Sequence, residues 1–160
     1  MVGDCRGESG LDIGSCDGLV AYEFARGGAA TIHGFERDAA DVLFAQRLFR
    51  DVPMESRFVQ ANLAISGSEF ERLFGSKLLD CYDTVLFLGM YHHLDRQMER
   101  QYLDDFVDFL LGCSRRRFVV RTEQIDEVEP QIRAAGFSQV GDEFPARVGM
   151  GPLRIYERRD

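Results

Sequence analysis

The chain has 160 residues, a length typical of one domain, and 45% of them are hydrophobic, which suffices for a buried core. Its net charge of −8 disfavours strong non-specific binding to nucleic acid, which needs a cationic surface. The sequence has no apolar run of roughly 18 residues, the length of a membrane span, and the polar segment 1–10 does not resemble a signal peptide. We therefore predict a single cytoplasmic domain, 1–160, with no membrane association.

Strands and helices are predicted to alternate along the chain. The predicted order is strand 11–13, helix 18–26, strand 30–35, helix 38–49, strand 57–61, helix 66–74, strand 79–88, helix 95–112, strand 117–121, helix 124–135, and a final pair of strands, 137–141 and 152–157. Pro130 is expected to kink or split the last helix. This alternation predicts an α/β fold with a doubly wound sheet in one domain.

The helix at 95–112 has the clearest periodicity in the chain. We expect its apolar stripe to lie in the core; the stripe comprises Met98, Tyr102, Leu103, Phe106, Phe109 and Leu110. Neither the scattered cysteines nor the adjacent His92 and His93 have the spacing of a metal site, so no metal is predicted.

The turn after the first strand has the composition of a ligand-binding loop. Gly14 and Gly18 lack a Cβ, so the backbone can turn sharply and approach a ligand, and the following helix directs free N–H groups at it. Glu36, at the end of the second strand, can accept hydrogen bonds from ribose hydroxyls. Asp12 can bond the loop amides or a cationic group of the ligand. This order predicts a nucleotide-like cofactor site.

The spacing Gly14-x-Cys16-x-Gly18, with Asp12 two residues ahead, resembles motif I, D-x-G-x-G-x-G, of the class I S-adenosylmethionine-dependent methyltransferases. Three later segments also resemble this Rossmann-like family. Strand 58–62 ends in Asn62 where the family usually has Asp, residues 82–94 contain the form FLG-x-x-x-HL of motif IV, and residues 135–137 read AGF. The resemblance spans about residues 9 to 158.

The resemblance implies a mostly parallel seven-stranded sheet of order 3-2-1-4-5-7-6, with strand 7 antiparallel and helices on both faces. The ligand would lie beyond the carboxyl ends of the strands. It implies S-adenosylmethionine as the cofactor. The implied cofactor-binding residues are Asp12, Gly14, Ser15, Cys16, Gly18, Glu36, Arg37, Ala61, Asn62, Leu63, Leu88 and Gly89.

Methyl transfer mainly needs orientation, together with a base where the acceptor must lose a proton. His93 matches the histidine of the family's H-L pair and is the preferred catalytic candidate, followed by His92; we expect one ring to point into the pocket and the other away. A purely positioning role for either histidine stays open. Candidate substrate contacts are Tyr91, Arg121 and Glu123, although packing and ion pairing are open readings of them.

The leading hypothesis is a methyltransferase acting on an oxygen or nitrogen of a small molecule. Alternatives are a non-catalytic S-adenosylmethionine-binding module, an RNA methyltransferase and a nicotinamide-dependent oxidoreductase, although Cys16 interrupts the dinucleotide fingerprint. Only about ten residues precede the first strand, where family members usually carry lid helices. We therefore expect an open substrate site, or one completed by a homodimer or a partner chain.

Overall fold

The computed structural model describes residues 4–147 and 151–159. The chain consists of two compact units, Met1–Leu63 and Ala64–Asp160. Within the described residues, no helix combines the length and the apolar character needed to cross a membrane. The predicted alternation of strands and helices is present in both units.

The first unit is a parallel three-stranded sheet with two helices. Its elements are β1 (Ser9–Ile13), α1 (Leu19–Arg26), β2 (Thr31–Glu36), α2 (Ala39–Leu48) and β3 (Glu55–Gln60), and its strand order is β3-β2-β1. β1 and β2 are buried strands, and their apolar residues Leu11, Ile32 and Phe35 have no exposed surface. Asp38 ends the turn after β2, and its side chain accepts hydrogen bonds from the amides of Ala40 and Asp41, which starts α2. This order agrees with the predicted one.

Gly34, in β2, is closely packed against neighbouring side chains. A Cβ built there would lie 2.5 Å from Phe58 Cδ1 and 3.0 Å from Ser15 Oγ. We expect Gly34→Ala to lower the free energy of unfolding by about 2 kcal/mol, because the Phe58 ring must move. Urea denaturation measures this, with Gly75→Ala as the control, since Gly75 has helical dihedrals and no atom within 4 Å of such a Cβ. Equal stability of the two variants would contradict the close packing.

The second unit contains a mixed sheet, four α-helices and a short 3-10 helix (Gly75–Lys77) among its described residues. Its elements are α3 (Gly67–Phe74), β4 (Tyr82–Leu88), α4 (Tyr91–Asp95), α5 (Arg100–Cys113), β5 (Ser114–Arg121), α6 (Ile125–Ala134), β6 (Phe137–Gln139), β7 (Phe144–Arg147) and β8 (Gly151–Arg158). β4 and β5 are parallel, whereas β8 is antiparallel to β5, β6 and β7. The order β4-β5-β8-β6 is the predicted order 4-5-7-6, with β8 as predicted strand 7.

Four details differ from the sequence-based expectation. The helix predicted at 95–112 begins only at Arg100, because Glu99 has extended dihedrals, and Asp95 instead ends the separate helix α4. Tyr102 is not in the core and is 50% exposed. Pro130 neither splits nor ends α6, which runs through it. Residues 144–147 form an additional strand, β7, because they pair with β8 through an irregular register that the sequence pattern does not reveal.

Candidate functional site

In the first unit, backbone hydrogen bonds tie together the three segments that follow β1, β2 and β3. The amides of Gly14 and Ser15 donate to the Phe35 carbonyl over 2.9 and 3.1 Å, and the Ala61 amide donates to the Glu36 carbonyl over 2.8 Å. Because carboxyl ends of parallel strands lie at one edge of a sheet, these bonds hold the predicted cofactor-binding residues of the unit at that edge. The structure therefore brings the glycine turn, Glu36 and the end of β3 together.

The Glu36 carboxylate connects the loops at this edge of the sheet through hydrogen bonds. Its Oε2 accepts a hydrogen bond from the Cys16 amide over 3.1 Å, and its Oε1 accepts from the amides of Arg37 and Asp38 over 2.5 and 2.8 Å. A carboxylate has about four acceptor positions, so these three bonds leave part of its capacity for a ligand. Glu36 therefore joins the first two loops and still presents a half-buried anion to a ligand.

Asp12 and Ser15 carry buried polar atoms without partners. Asp12 is 2% exposed and Ser15 is 5% exposed, and within the described part of the chain neither Asp12 Oδ2 nor Ser15 Oγ has a hydrogen-bond partner. Burial, with a smaller effect from the nearby Glu36 charge, raises the pKa of Asp12 to about 7. Buried polar groups are normally satisfied, so these two atoms are suited to binding a ligand group.

The turn into α1 has the conformation that a ligand-binding loop requires. Gly18 starts the helix with φ +80°, and Cys16 has φ +48°, which is uncommon for a residue with a side chain. The first turn of α1 contains no acidic residue, and Gly18 makes no side-chain cap. One N–H, that of Leu19, bonds to Asp17 over 3.2 Å. Asp17 therefore satisfies one of the free N–H groups at this end of α1, and the positive end of the helix dipole favours a ligand carboxylate there.

The remaining predicted residues of the first unit follow β2 and β3. Arg37 and Asn62 are exposed, whereas Ala61 and Leu63 are buried. Sequence reasoning missed Gln60, whose side-chain amide donates to the Arg37 carbonyl over 3.1 Å and so joins the second and third loops. Its position at the end of a strand, two residues before Asn62, is the signal that would have identified it.

In the second unit, Leu88 ends β4 and Gly89 follows it, and both lie beside Arg121. Leu88 pairs with Arg121 in register, and the Gly89 amide donates to the Arg121 carbonyl over 2.9 Å. Tyr91 is 1% exposed and packs edge-on against Phe87, and burial raises the pKa of its hydroxyl to about 12. Tyr91 Oη and Arg121 Nε are buried and lack partners within the described residues. Their assignment to substrate binding stays a prediction.

His92 and His93 lie on α4 with their ring centroids 3.9 Å apart. The two rings therefore lie against each other, and the expectation that one points into the pocket and the other away stays a prediction. Burial, then the nearby His93 and Arg96, lowers the pKa of His92, while the carboxylate of exposed Glu123 opposes this shift. His92 is consequently neutral at pH 7 and can accept a proton.

Sequence reasoning also missed a link that fixes the end of α4. The Gln124 side-chain amide donates to Asp95 Oδ2 over 3.0 Å and to Glu127 Oε1 over 3.2 Å, so α4 is attached to the start of α6. No local pattern signals this contact, because its partners are far apart in sequence. Among the described residues, no group of three or more histidine, cysteine or acidic side chains is arranged to hold a metal ion.

Comparisons by structure find similar proteins, although no protein family model and no curated protein matches the sequence. A TehB-like S-adenosylmethionine-dependent methyltransferase from Corynebacterium glutamicum is 14% identical, with a TM-score of 0.65 over 97% of this chain and 82% of that one. The N-methyltransferase NodS from Bradyrhizobium japonicum is 9% identical, with a TM-score of 0.72 over 97% and 88%. The [4+2]-cyclase SpnF is 13% identical, with a TM-score of 0.66 over 96% and 76%. The predicted fold class is thereby confirmed: the chain has the Rossmann-like fold of the class I S-adenosylmethionine-dependent methyltransferases.

Proposed function

We propose that this protein is an S-adenosylmethionine-dependent methyltransferase that methylates an oxygen or a nitrogen of a small molecule. The observation that carries the proposal is the pair of acidic groups at the edge of the first unit, Glu36 held by loop amides and Asp12 buried without a partner for Oδ2. Fold alone would not suffice, since SpnF, a neighbour of this fold, is named as a cyclase.

The residues of the first unit suit the chemical groups of S-adenosylmethionine. The free acceptor capacity of Glu36 suits the ribose hydroxyls, and the N-terminus of α1 suits the carboxylate of the methionine moiety. Asp12 offers a buried carboxylate to a cofactor that carries positive charge on its sulfur and its amino group. When bound, the cofactor supplies a methyl group attached to a cationic sulfur.

The chain's own contribution to the reaction would be binding, orientation and removal of one proton. His92 is neutral at pH 7, because burial lowers its pKa, and its ring lies against His93. Either histidine can accept the proton that a hydroxyl or amine acceptor loses. The net charge of −8 favours a small molecule over RNA as the acceptor.

Replacing the histidines one at a time tests this role. If one of them is the base, we expect its substitution by Gln to lower kcat by about 100-fold or more, with cofactor affinity unchanged. The pH profile of the affected variant should also lose its acidic limb, because that limb reports protonation of the base. Steady-state kinetics from pH 5 to 9 measure both effects. Unchanged profiles in both variants would contradict a histidine base and leave a positioning role.

Methyl transfer itself is tested with S-adenosylmethionine labelled in its methyl group. The purified chain would be incubated with panels of small hydroxyl and amine compounds and, separately, with RNA. We expect the labelled methyl group to appear in a small-molecule product. Tight cofactor binding without label in any panel would instead support the non-catalytic binding module, and label in RNA would support the alternative substrate.

A further inference from the structure

A groove in the second unit has the lining expected of a site for an organic cation. Its volume is about 420 Å³, within the range of small-molecule sites, and two chain segments form it. The lining residues are Ala64, Ile65, Ser66, Glu69, Gln97, Met98, Glu99 and Tyr102. The lining contains two carboxylates, an aromatic ring and a thioether, and it contains no basic residue.

Glu99 is an available carboxylate in this groove. It occupies the N-cap position of α5, where an acidic side chain usually accepts a hydrogen bond from the helix, but its side chain makes no such bond. Its backbone carbonyl accepts hydrogen bonds from the amides of Tyr102 and Leu103 over 3.0 and 3.2 Å. Within the described residues Glu99 has no ion pair, so its charge is uncompensated in the groove.

The other lining groups complete a cation-binding surface. Glu69 has one ion pair, with Arg72 over 3.7 Å, and that arginine is 71% exposed, so the pair is weak. Tyr102 is 50% exposed although it lies on the helix stripe that was expected in the core. Tyr102 lines the same groove as the two carboxylates. An exposed tyrosine ring attracts an ammonium group through its π face, and the carboxylates attract it through their charge.

We propose that this groove binds an acceptor through a protonated amine, which places the substrate of the proposed methyltransferase among small organic cations. The identification of the ligand as a methyl acceptor rests on the proposed function, whereas the preference of the groove for a cation can be measured independently. The ammonium would lie between Glu69 and Glu99, and the apolar part of the molecule would contact Tyr102 and Met98.

Two probes of equal size test the charge preference: phenethylamine, which is protonated at pH 7, and 2-phenylethanol, which is neutral. Binding is followed through the Met98 methyl resonance of protein labelled at its five methionines, with Met98→Leu for assignment. We expect the amine to bind about 10-fold more tightly than the alcohol. Glu99→Gln should remove most of that difference, whereas Glu71→Gln, an exposed acid on α3 outside the groove, should preserve it. Equal binding of the two probes, or equal effects of the two variants, would overturn the proposal.

A second titration separates this inference from the proposed function. With S-adenosylhomocysteine present at saturation, the amine should bind with unchanged affinity, because cofactor and acceptor must be held together. Displacement of the amine would show that the groove belongs to the cofactor and would overturn the inference. Selective amine binding by a chain that binds no S-adenosylhomocysteine would overturn the methyltransferase proposal and leave the cation site intact.

Discussion

Replacing Glu36 with alanine is expected to lower the affinity for S-adenosylmethionine by about 100-fold or more. Hydrogen bonds to a charged group contribute about 1.5–3 kcal/mol each, and the carboxylate would bind the ribose hydroxyls. The same change removes the acceptor for the amides of Cys16, Arg37 and Asp38, so the first two loops lose their shared anchor. Isothermal calorimetry on the purified variant measures the loss.

Two further variants show whether the loss of cofactor affinity is specific to the Glu36 carboxylate. Glu36→Gln keeps one acceptor oxygen and should give an intermediate affinity. Glu23→Ala removes an exposed glutamate on α1 that pairs with Arg26 over 2.9 Å, and it should change affinity by less than about twofold. If Glu36→Ala bound the cofactor as well as the original chain, Glu36 would not be a cofactor ligand.

Replacing Asp12 with asparagine is expected to stabilise the free protein at pH 8 and to weaken cofactor binding. The folded state raises the pKa of Asp12 to about 7, mainly through burial and then through the charge of Glu36. Between pH 4 and 7 the folded chain therefore binds more protons than the unfolded chain, so the stability due to this group is lost as pH rises through about 7. The difference between this pKa and the ordinary value of about 4 for an aspartate corresponds to a loss of about 4 kcal/mol in the free energy of unfolding at pH 8.

Urea denaturation at pH 5 and pH 8 measures how the free energy of unfolding changes with pH. The stability of the original chain should fall between the two values by more than that of Asp12→Asn, because asparagine does not ionise. Asp38→Asn changes an exposed acid whose amide oxygen can still cap α2, so it should keep the original pH dependence. An identical pH dependence in Asp12→Asn would contradict a buried, neutral Asp12.

Cofactor binding should oppose this protonation. A cationic ligand favours the ionised form of Asp12, so binding near pH 6.5 is expected to release a proton, and the affinity should rise with pH through about 7. Calorimetry in buffers of different ionisation enthalpy counts the protons released. Asp12→Asn should release fewer protons and bind more weakly at pH 8, which separates the effect on binding from the effect on stability.

The site's backbone could be predicted from sequence because its signals are local. The glycine turn, Glu36 at the end of β2 and the alternating strands follow from residue type and spacing, and the structure places them together. The Asp12 environment was only partly predictable. Its position before the turn was evident, but its burial and its lack of a partner for Oδ2 depend on how the sheet packs.

The groove could not be predicted, because it depends on contacts between distant segments. Periodicity assigned Tyr102 to the core, since an apolar stripe does not show which of its members lies beyond the packed part of the helix. The start of α5 was predicted incorrectly for the same reason, because it depends on contacts between distant segments. Glu99 continues a helical pattern in sequence but has extended dihedrals in the structure, and α5 consequently begins only at Arg100.

The most direct test of the central claim is a calorimetric titration of the purified chain with S-adenosylmethionine, S-adenosylhomocysteine and NAD. The account predicts micromolar binding of the first two, lost in Glu36→Ala and weakened in Asp12→Asn, and no comparable binding of NAD. Preferential binding of NAD would support the oxidoreductase alternative. Failure of the chain to bind S-adenosylmethionine and S-adenosylhomocysteine would contradict the claim that the edge of the first unit is a cofactor site.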